Sequence, residues 1–347
     1  MELTGTSTQR RLGAVAVIGG VGVAAAVAFD WPLAAIVTVG FVERALQAAT
    51  PIALAAIGGL YAEKSGVFNI GLEGFMIFGA ANAGAIVWLI SGGSPTQGDL
   101  WLAMLVAVGL SLIYTTLFAV FLIRYQANQI VAGLAVWFIG LGFGPFTAVL
   151  VWGNRNSPGL VSVNDLTVPV LAELPVVGPI LFETSPLVWL TALLAVTAWV
   201  VLYHTRYGYW LQAAGDNPEA LDTAGVNVTR VRYAAVIFSG VMAGFAGAVL
   251  LAHSGSFTGT GQTMVNGRGW IGIVAYLFGN YNPLGAALAA LLFGGLDMLQ
   301  IQFQTVGIAF PNRLVNLFPY VAVVGVLSVW GSTRMPAALG ETYESEE

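Results

Sequence analysis

The sequence predicts an all-α, polytopic membrane protein with about ten transmembrane helices, two of them broken or re-entrant. Three observations predict it. Only 8% of the 347 residues are charged and 57% are hydrophobic, whereas roughly 25% of an average soluble domain is charged, so the charges are too few to clothe a soluble surface. The apolar residues gather into runs long enough to cross a bilayer, for which about 20 residues suffice. The 44 glycines suit helices that pack backbone to backbone in lipid.

The first run is Leu12 to Phe29 behind Arg10-Arg11, with a cleaved or twin-arginine signal peptide as the alternative. Pro32 to Tyr61 is too long for one straight span. It carries Glu43, Arg44, Gln47 and Thr50-Pro51, which predict a broken helix or a re-entrant piece followed by a helix. Clear spans follow at Ile70–Ile90, Leu100–Ile123, Ile130–Trp152, Leu187–Tyr203 and Tyr233–Ala252. Trp270–Phe278 is short and reads as broken or re-entrant, and Pro283–Ile301 and Leu314–Trp330 complete the set. The irregular segments near 41–60 and 255–279 occupy matching halves, as in inverted-repeat transporters. Residues 1–335 read as one transmembrane domain. The loop 153–186 is external and leaves room for a small ordered element, and residues 336–347 form a disordered acidic cytoplasmic tail.

If Arg10 and Arg11 are cytoplasmic and the spans alternate, then Lys64, Arg124, Arg206, Arg230, Arg232 and Arg334 fall on the same side, and the outer loops keep only Arg155. That is the positive-inside asymmetry. It places the chain in the plasma membrane as a multi-pass protein with both termini cytoplasmic.

Much chemistry is excluded. With no cysteine there is no disulfide, thiol nucleophile or thiolate-bound metal, and the single lysine follows Glu63 rather than a glycine, so no ATP-binding P-loop exists. His204 and His253 are too far apart for a zinc motif, and there is no G-x-S-x-G elbow. Gly140, Gly142 and Gly144 lie in an apolar span without βαβ context and signal close helix packing. No cofactor, metal or nucleic-acid partner is expected, and the chain is not expected to be an enzyme.

Polar groups inside the bilayer are costly, about 2.5–3.5 kcal/mol for a charge on insertion scales, so each is a candidate for function. Asn69 and Glu73 stand in a glycine-punctuated break, where Asn69 as a helix cap and Glu73 as a first-turn carboxylate are the plainer reading. Asn128-Gln129 open a span, where capping is again the simpler role. Arg268, beside Gln262 and Asn266, meets a polar solute or snorkels to the interface. Asp297, near Gln300, Gln302 and Gln304, serves interhelical bonding or a channel. The stretch after Tyr203 differs in kind. Asp216 or Asn217 caps a helix of about two turns that begins at Pro218, continues through Glu219 and Ala220, and stops at Ala224-Gly225. It is a linker or a docking knob for a soluble partner.

Several motifs together resemble the permease subunits of ATP-binding cassette importers serving ribose-type sugars, nucleosides and branched-chain amino acids, above all the smaller nucleoside-type permease. They are Ala49-Thr50-Pro51 with Gly58-Gly59, the run Glu63 to Gly74, Asn128 to Leu134, and Gly215-Asp216-Asn217-Pro218 with Ala224-Gly225. Ser239-Gly240, Ala243-Gly244, Ala246-Gly247, Gly267 to Ile271 and Asn282 to Gly285 continue the match in order over about 40–335. The resemblance implies a soluble ATPase docked on 215–225 within a coupling loop at 204–232. It further implies a second permease completing the channel as a heterodimer, an external solute-binding protein, and nucleosides or simple sugars such as glucose as cargo. Such cargo calls for hydroxyl-binding and stacking groups in the channel, for which Asn82, Trp137, Trp270 and Tyr276 are candidates. A stand-alone proton- or ion-coupled transporter relaying through Glu73 or Asp297 stays open as the alternative.

Overall fold

The structure, a computed structural model, describes residues 38–175, 177–306 and 335–343. The expected spans Leu12–Phe29 and Leu314–Trp330, the leader Arg10-Arg11, Arg334 and the last four residues lie outside them. Seven helices among the described residues are long and apolar enough to cross a membrane. They are α1 (Val39–Lys64), α2 (Leu72–Ser91), α3 (Gln97–Ala119, continued by a π-turn over Val120–Arg124), α4 (Gln129–Trp152), α5 (Pro186–His204), α8 (Val228–Ser254) and α10 (Pro283–Val306). Between them lie α6 (Arg206–Asp216), α7 (Pro218–Thr223) and α9 (Arg268–Phe278), the last an apolar helix of 11 residues.

The break expected at Thr50-Pro51 is absent, and α1 runs unbroken from Val39 to Lys64 with Pro51 inside. Proline removes one intrahelical donor. The Thr50 hydroxyl donates to the Leu46 carbonyl at 2.9 Å, and nearly every residue from Ala49 to Glu63 is buried, so neighbouring helices hold the segment straight. In α1 83% of the apolar window is buried, against 17% in α4. α1 is therefore a core helix, while α3, α4 and α5 turn Leu102, Leu105, Phe138, Ile139, Phe146, Leu150 and Leu193 outward. An apolar exterior of that extent suits lipid.

Two groups of helices meet along α8. On one side it packs against α1, which also carries α9 and α10; on the other against α2 and α3, with α4 lying on α2. Small residues set these crossings. A Cβ on Gly79 would stand 1.8 Å from the Gly244 carbonyl oxygen, one on Gly247 1.9 Å from that of Met76, and one on Gly58 2.6 Å from that of Ser239. On the α4 side, a Cβ on Gly74 would come within 2.5 Å of the Val136 carbonyl oxygen.

Arg155 marks one end of the bundle. There the 153–185 loop lies over the end of α8, with Leu160 N–H donating to the Gly255 carbonyl and Val163 N–H to that of Ala252, both at 2.8 Å. The small element that the loop had room for is a two-residue antiparallel ladder, β1 (Leu166–Thr167) with β2 (Glu183–Thr184). Lys64, Arg124, Arg206, Arg230 and Arg232 gather at the other end, at the end of α1, the π-turn after α3, the start of α6 and the first turns of α8.

The acidic tail, expected to be disordered, is docked at this basic end over 335–343, where Ala338 is 6% exposed. Ala338 N–H donates to the Gly215 carbonyl at 2.8 Å and Gly340 N–H to the Gly66 carbonyl at 2.9 Å. Composition misleads here because the Pro336–Tyr343 stretch is held by hydrogen bonds of its own backbone and of the Tyr343 hydroxyl, which acidic content does not register.

Gly79→Ala is expected to force α2 and α8 apart and to lower stability by about 1–3 kcal/mol. Gly109→Ala, whose added methyl meets nothing within 4 Å inside α3, is expected not to lower stability and to raise it by up to about 1 kcal/mol. Thermal unfolding of the two variants in detergent checks the contrast.

Candidate functional site

The polar residues converge where α9 begins. Gly267, at φ +86°, turns the chain into α9 and leaves the first N–H groups of that helix pointing outward without a partner of their own. The carboxylate of Glu73, in the first turn of α2 and 2% exposed, takes them up. Its Oε1 accepts from Gly267 N–H and its Oε2 from Gly269 N–H, each at 2.7 Å. Gly269 is required there, since a Cβ would lie 2.5 Å from the Glu73 backbone. A carboxylate on two N–H groups at a helix N-terminus meets both the orphan donors and the positive end of the dipole.

The next residue extends the site outward. Arg268 Nη2 pairs with Asp297 Oδ2 of α10 at 2.5 Å, and Arg268 Nη1 reaches the Met264 carbonyl at 3.2 Å. The side chains are 17% and 34% exposed, so the pair borders accessible space. Trp270 stands edge-on to Trp137 of α4 with ring centroids 5.5 Å apart, and both are half-buried. The result is a polar and aromatic patch at the α2–α4–α9–α10 junction.

A second buried carboxylate holds the opposite end of α9. Glu63, 1% exposed in the last turn of α1, accepts from the Tyr276 hydroxyl of α9 and, at 2.5 Å, from the Tyr281 hydroxyl in the α9–α10 turn. Lys64 Nζ lies 5.5 Å from the centre of the Tyr281 ring. The reverse side of this joint carries α6. A Cβ on Gly215 would stand 2.4 Å from the Lys64 carbonyl oxygen, so the end of α6 sits directly on the α1–α2 turn. The capped element appears as expected. Asn217 accepts from Ala220 N–H at 3.0 Å, Pro218 opens α7, and Gly225 at φ +80° closes it. Asp216, Asn217, Glu219, Ala220, Ala224 and Gly225 are exposed. α6 itself was not expected as a separate helix; its capping Thr205, accepting from Gly208 N–H at 3.4 Å, was the available signal.

The structure thus brings together Glu73, Trp137, Arg268, Trp270 and Asp297, and separates the other candidates from them. Asn69 caps no helix. Its Oδ1 accepts from Gly71 N–H at 2.9 Å, and its Nδ2 donates to Ser239 Oγ at 2.8 Å, tying the break to α8. Gln129 Oε1 receives Phe68 N–H at 2.6 Å, and Asn128 caps α4 through Ile130 and Val131 N–H. Asn82 approaches the Tyr114 hydroxyl at 3.4 Å amid aromatic rings. Tyr276, a candidate for contact with solute, is fully buried on Glu63. Sequence reasoning missed the role of Glu63, for its partners lie 213 and 218 residues away. Among the described residues no group of His, Asp or Glu is arranged to hold a metal.

Comparison with known proteins fits this arrangement. The family model described as branched-chain amino acid transport system / permease component matches residues 41–327, and the chain belongs to that family. It is 34% identical to the nucleoside ABC transporter permease protein NupC of Lactococcus lactis, over 87% of this chain and 96% of that protein. It is 33% identical to the guanosine ABC transporter permease protein NupQ of Bacillus subtilis, over 87% and 95%. It is 31% identical to the putative glucose ABC transporter permease protein TsgC13 of Haloferax volcanii, over 88% and 98%. No solved structure matches significantly. The chain is accordingly a multi-pass membrane permease subunit of an ABC importer. ATP hydrolysis belongs to a separate subunit, and the family implies a solute-binding protein.

Glu73→Gln turns an amide N–H toward one of the two N–H donors of α9. Stability is expected to fall by about 1–3 kcal/mol, measured by thermal unfolding in detergent, with Glu73→Ala falling further. Arg268→Met strands the Asp297 carboxylate, and Arg268→Met with Asp297→Leu is expected to recover most of the loss. A double-mutant cycle should give a coupling on the order of 1–2 kcal/mol.

Proposed function

We propose that this chain forms half of the translocation channel of an ABC importer for nucleosides or simple sugars. Residues 1–335 act as one transmembrane domain in which Arg268–Phe278 is a half-span starting inside the membrane. By the excess of Lys and Arg, the end bearing Lys64, Arg124, Arg206, Arg230 and Arg232 is cytoplasmic, as are both termini, and the 153–185 loop faces outward. A sister permease completes the channel, a binding protein delivers solute to the outer end, and an ATPase docks on the exposed face of α7, from Asp216 to Gly225.

The observation that carries this reading is that α9 is gripped at both ends. Glu73 holds its start beside the Trp137, Trp270, Arg268 and Asp297 patch, and Glu63 holds its end beside the α6–α7 seat. Displacement of α6 and α7 by nucleotide-driven closure presses on the Lys64–Gly66 turn. Through Glu63 it moves α9 and with it the patch, a rigid-body switch of a packed element. The edge-on tryptophans offer ring faces for a base or sugar, and the Arg–Asp pair offers a donor and an acceptor for hydroxyl groups. The names of the nucleoside and guanosine relatives favour a nucleoside, and that of the Haloferax relative favours glucose.

The test is uptake into proteoliposomes holding the chain with its ATPase, sister permease and binding protein, with guanosine, adenosine, ribose and glucose offered in turn. ATP-dependent uptake of one class, reduced at least tenfold by Trp270→Ala with assembly intact, is expected. Uptake by this chain alone under a proton or sodium gradient would overturn the reading.

A further inference from the structure

Residues 338–343 are anchored at four places within six residues, each on a different element. Ala338 N–H donates to the Gly215 carbonyl of α6 and Gly340 N–H to the Gly66 carbonyl of the α1–α2 turn. The Glu341 carbonyl accepts from Arg232 Nη1 of α8 at 2.9 Å, and the Tyr343 hydroxyl donates to Asp222 Oδ2 of α7 at 2.7 Å. Arg232, 5% exposed, also donates to the Ala214 carbonyl at 3.3 Å and lies 5.9 Å from the Tyr343 ring centre. The fit is close on the other side too, for a Cβ on Gly66 would come within 3.2 Å of the Ala338 carbonyl oxygen.

The need for such anchoring lies in how little holds α7 otherwise. α6 is held by Leu211, which belongs to the main core, and by the close seat of Gly215 on the Lys64 carbonyl. Leu221, the one buried residue of α7, packs instead with Ala214 and Val228 in a small cluster separate from that core, and Tyr343 packs against it. A short helix that enters the fold through one buried side chain yields when pushed; it transmits force only if tied at several points. We infer that 335–343 is a strap that fixes α7 to α6, α1 and α8, and that Arg232 and Tyr343 are the positioning residues that make docking on α7 move the transmembrane helices. This inference rests on the importer reading for the force, but the strap itself is judged independently.

Two measurements test it, on Tyr343→Ala and on a chain ending at Met335. In the purified permease, hydrogen exchange of the 219–225 amides is expected to quicken at least tenfold, while the amides of α2 and the interior of α8 keep wild-type rates. In the complete complex in proteoliposomes, solute moved per ATP is expected to fall at least threefold, with subunit stoichiometry and basal hydrolysis retained. Unchanged exchange at 219–225 would overturn the strap, and an unchanged transport-to-hydrolysis ratio would overturn its positioning role. If the wild-type complex moves no solute with ATP, the importer reading fails, and the exchange data still decide on the strap.

Discussion

A helix that begins among buried apolar residues leaves its first N–H groups with nothing but protein to bond, and in α9 that demand falls on one side chain. Glu73 is the acceptor for Gly267 and Gly269. Its own burial beside lipid-facing helices would be prohibitive without those donors. Neither partner is tolerable alone, so α2 and α9 are fixed to each other. The position of Arg268, and through it of Asp297 and Trp270, follows from that bond. At the other end of the same helix the two phenolic hydroxyls on Glu63 solve the same problem.

Around this pair of bolts the helices close by backbone approach. Lipid offers no hydrophobic drive for helix association, so contact depends on dispersion and geometry. The crossings of α8 with α1 and α2 show it, with positions 58, 79 and 247 too near a neighbouring backbone for any side chain. Such crossings are stiff. A bundle built from them moves as whole helices when its edges are displaced, the mode that alternating exposure of a solute path requires.

How much of this was legible depended on the range of the interaction. The clear spans emerged from runs of apolar residues because that signal is local, and the capped α7 emerged from Asn217, Pro218 and Gly225 because capping is local as well. Arg268, Asp297 and Glu73 stood out by the cost of their burial, yet their partners did not: the Glu73 bonds span 194 and 196 residues. Pro51 suggested a break because proline's local effect is disruptive, and the packing that overrides it is tertiary. The docked tail escaped notice for the opposite reason, since its acidic composition is a poor guide to a segment held by its carbonyl and N–H groups and by the Tyr343 hydroxyl.

The long reach of the Glu63 bonds bears on how the protein is made. α1 is the least hydrophobic of the seven candidate spans, with mean hydropathy 1.4 against 2.2 for α8, and it carries Glu63 at its end. The tyrosines that satisfy this carboxylate emerge more than 210 residues later, which at about 5–20 residues per second is roughly 10–40 s of synthesis. For that interval α1 is a weak membrane segment with an unpartnered acid. Its settling into the bilayer therefore waits on the second half of the chain, and the core helix of the finished bundle is among the last to be secured.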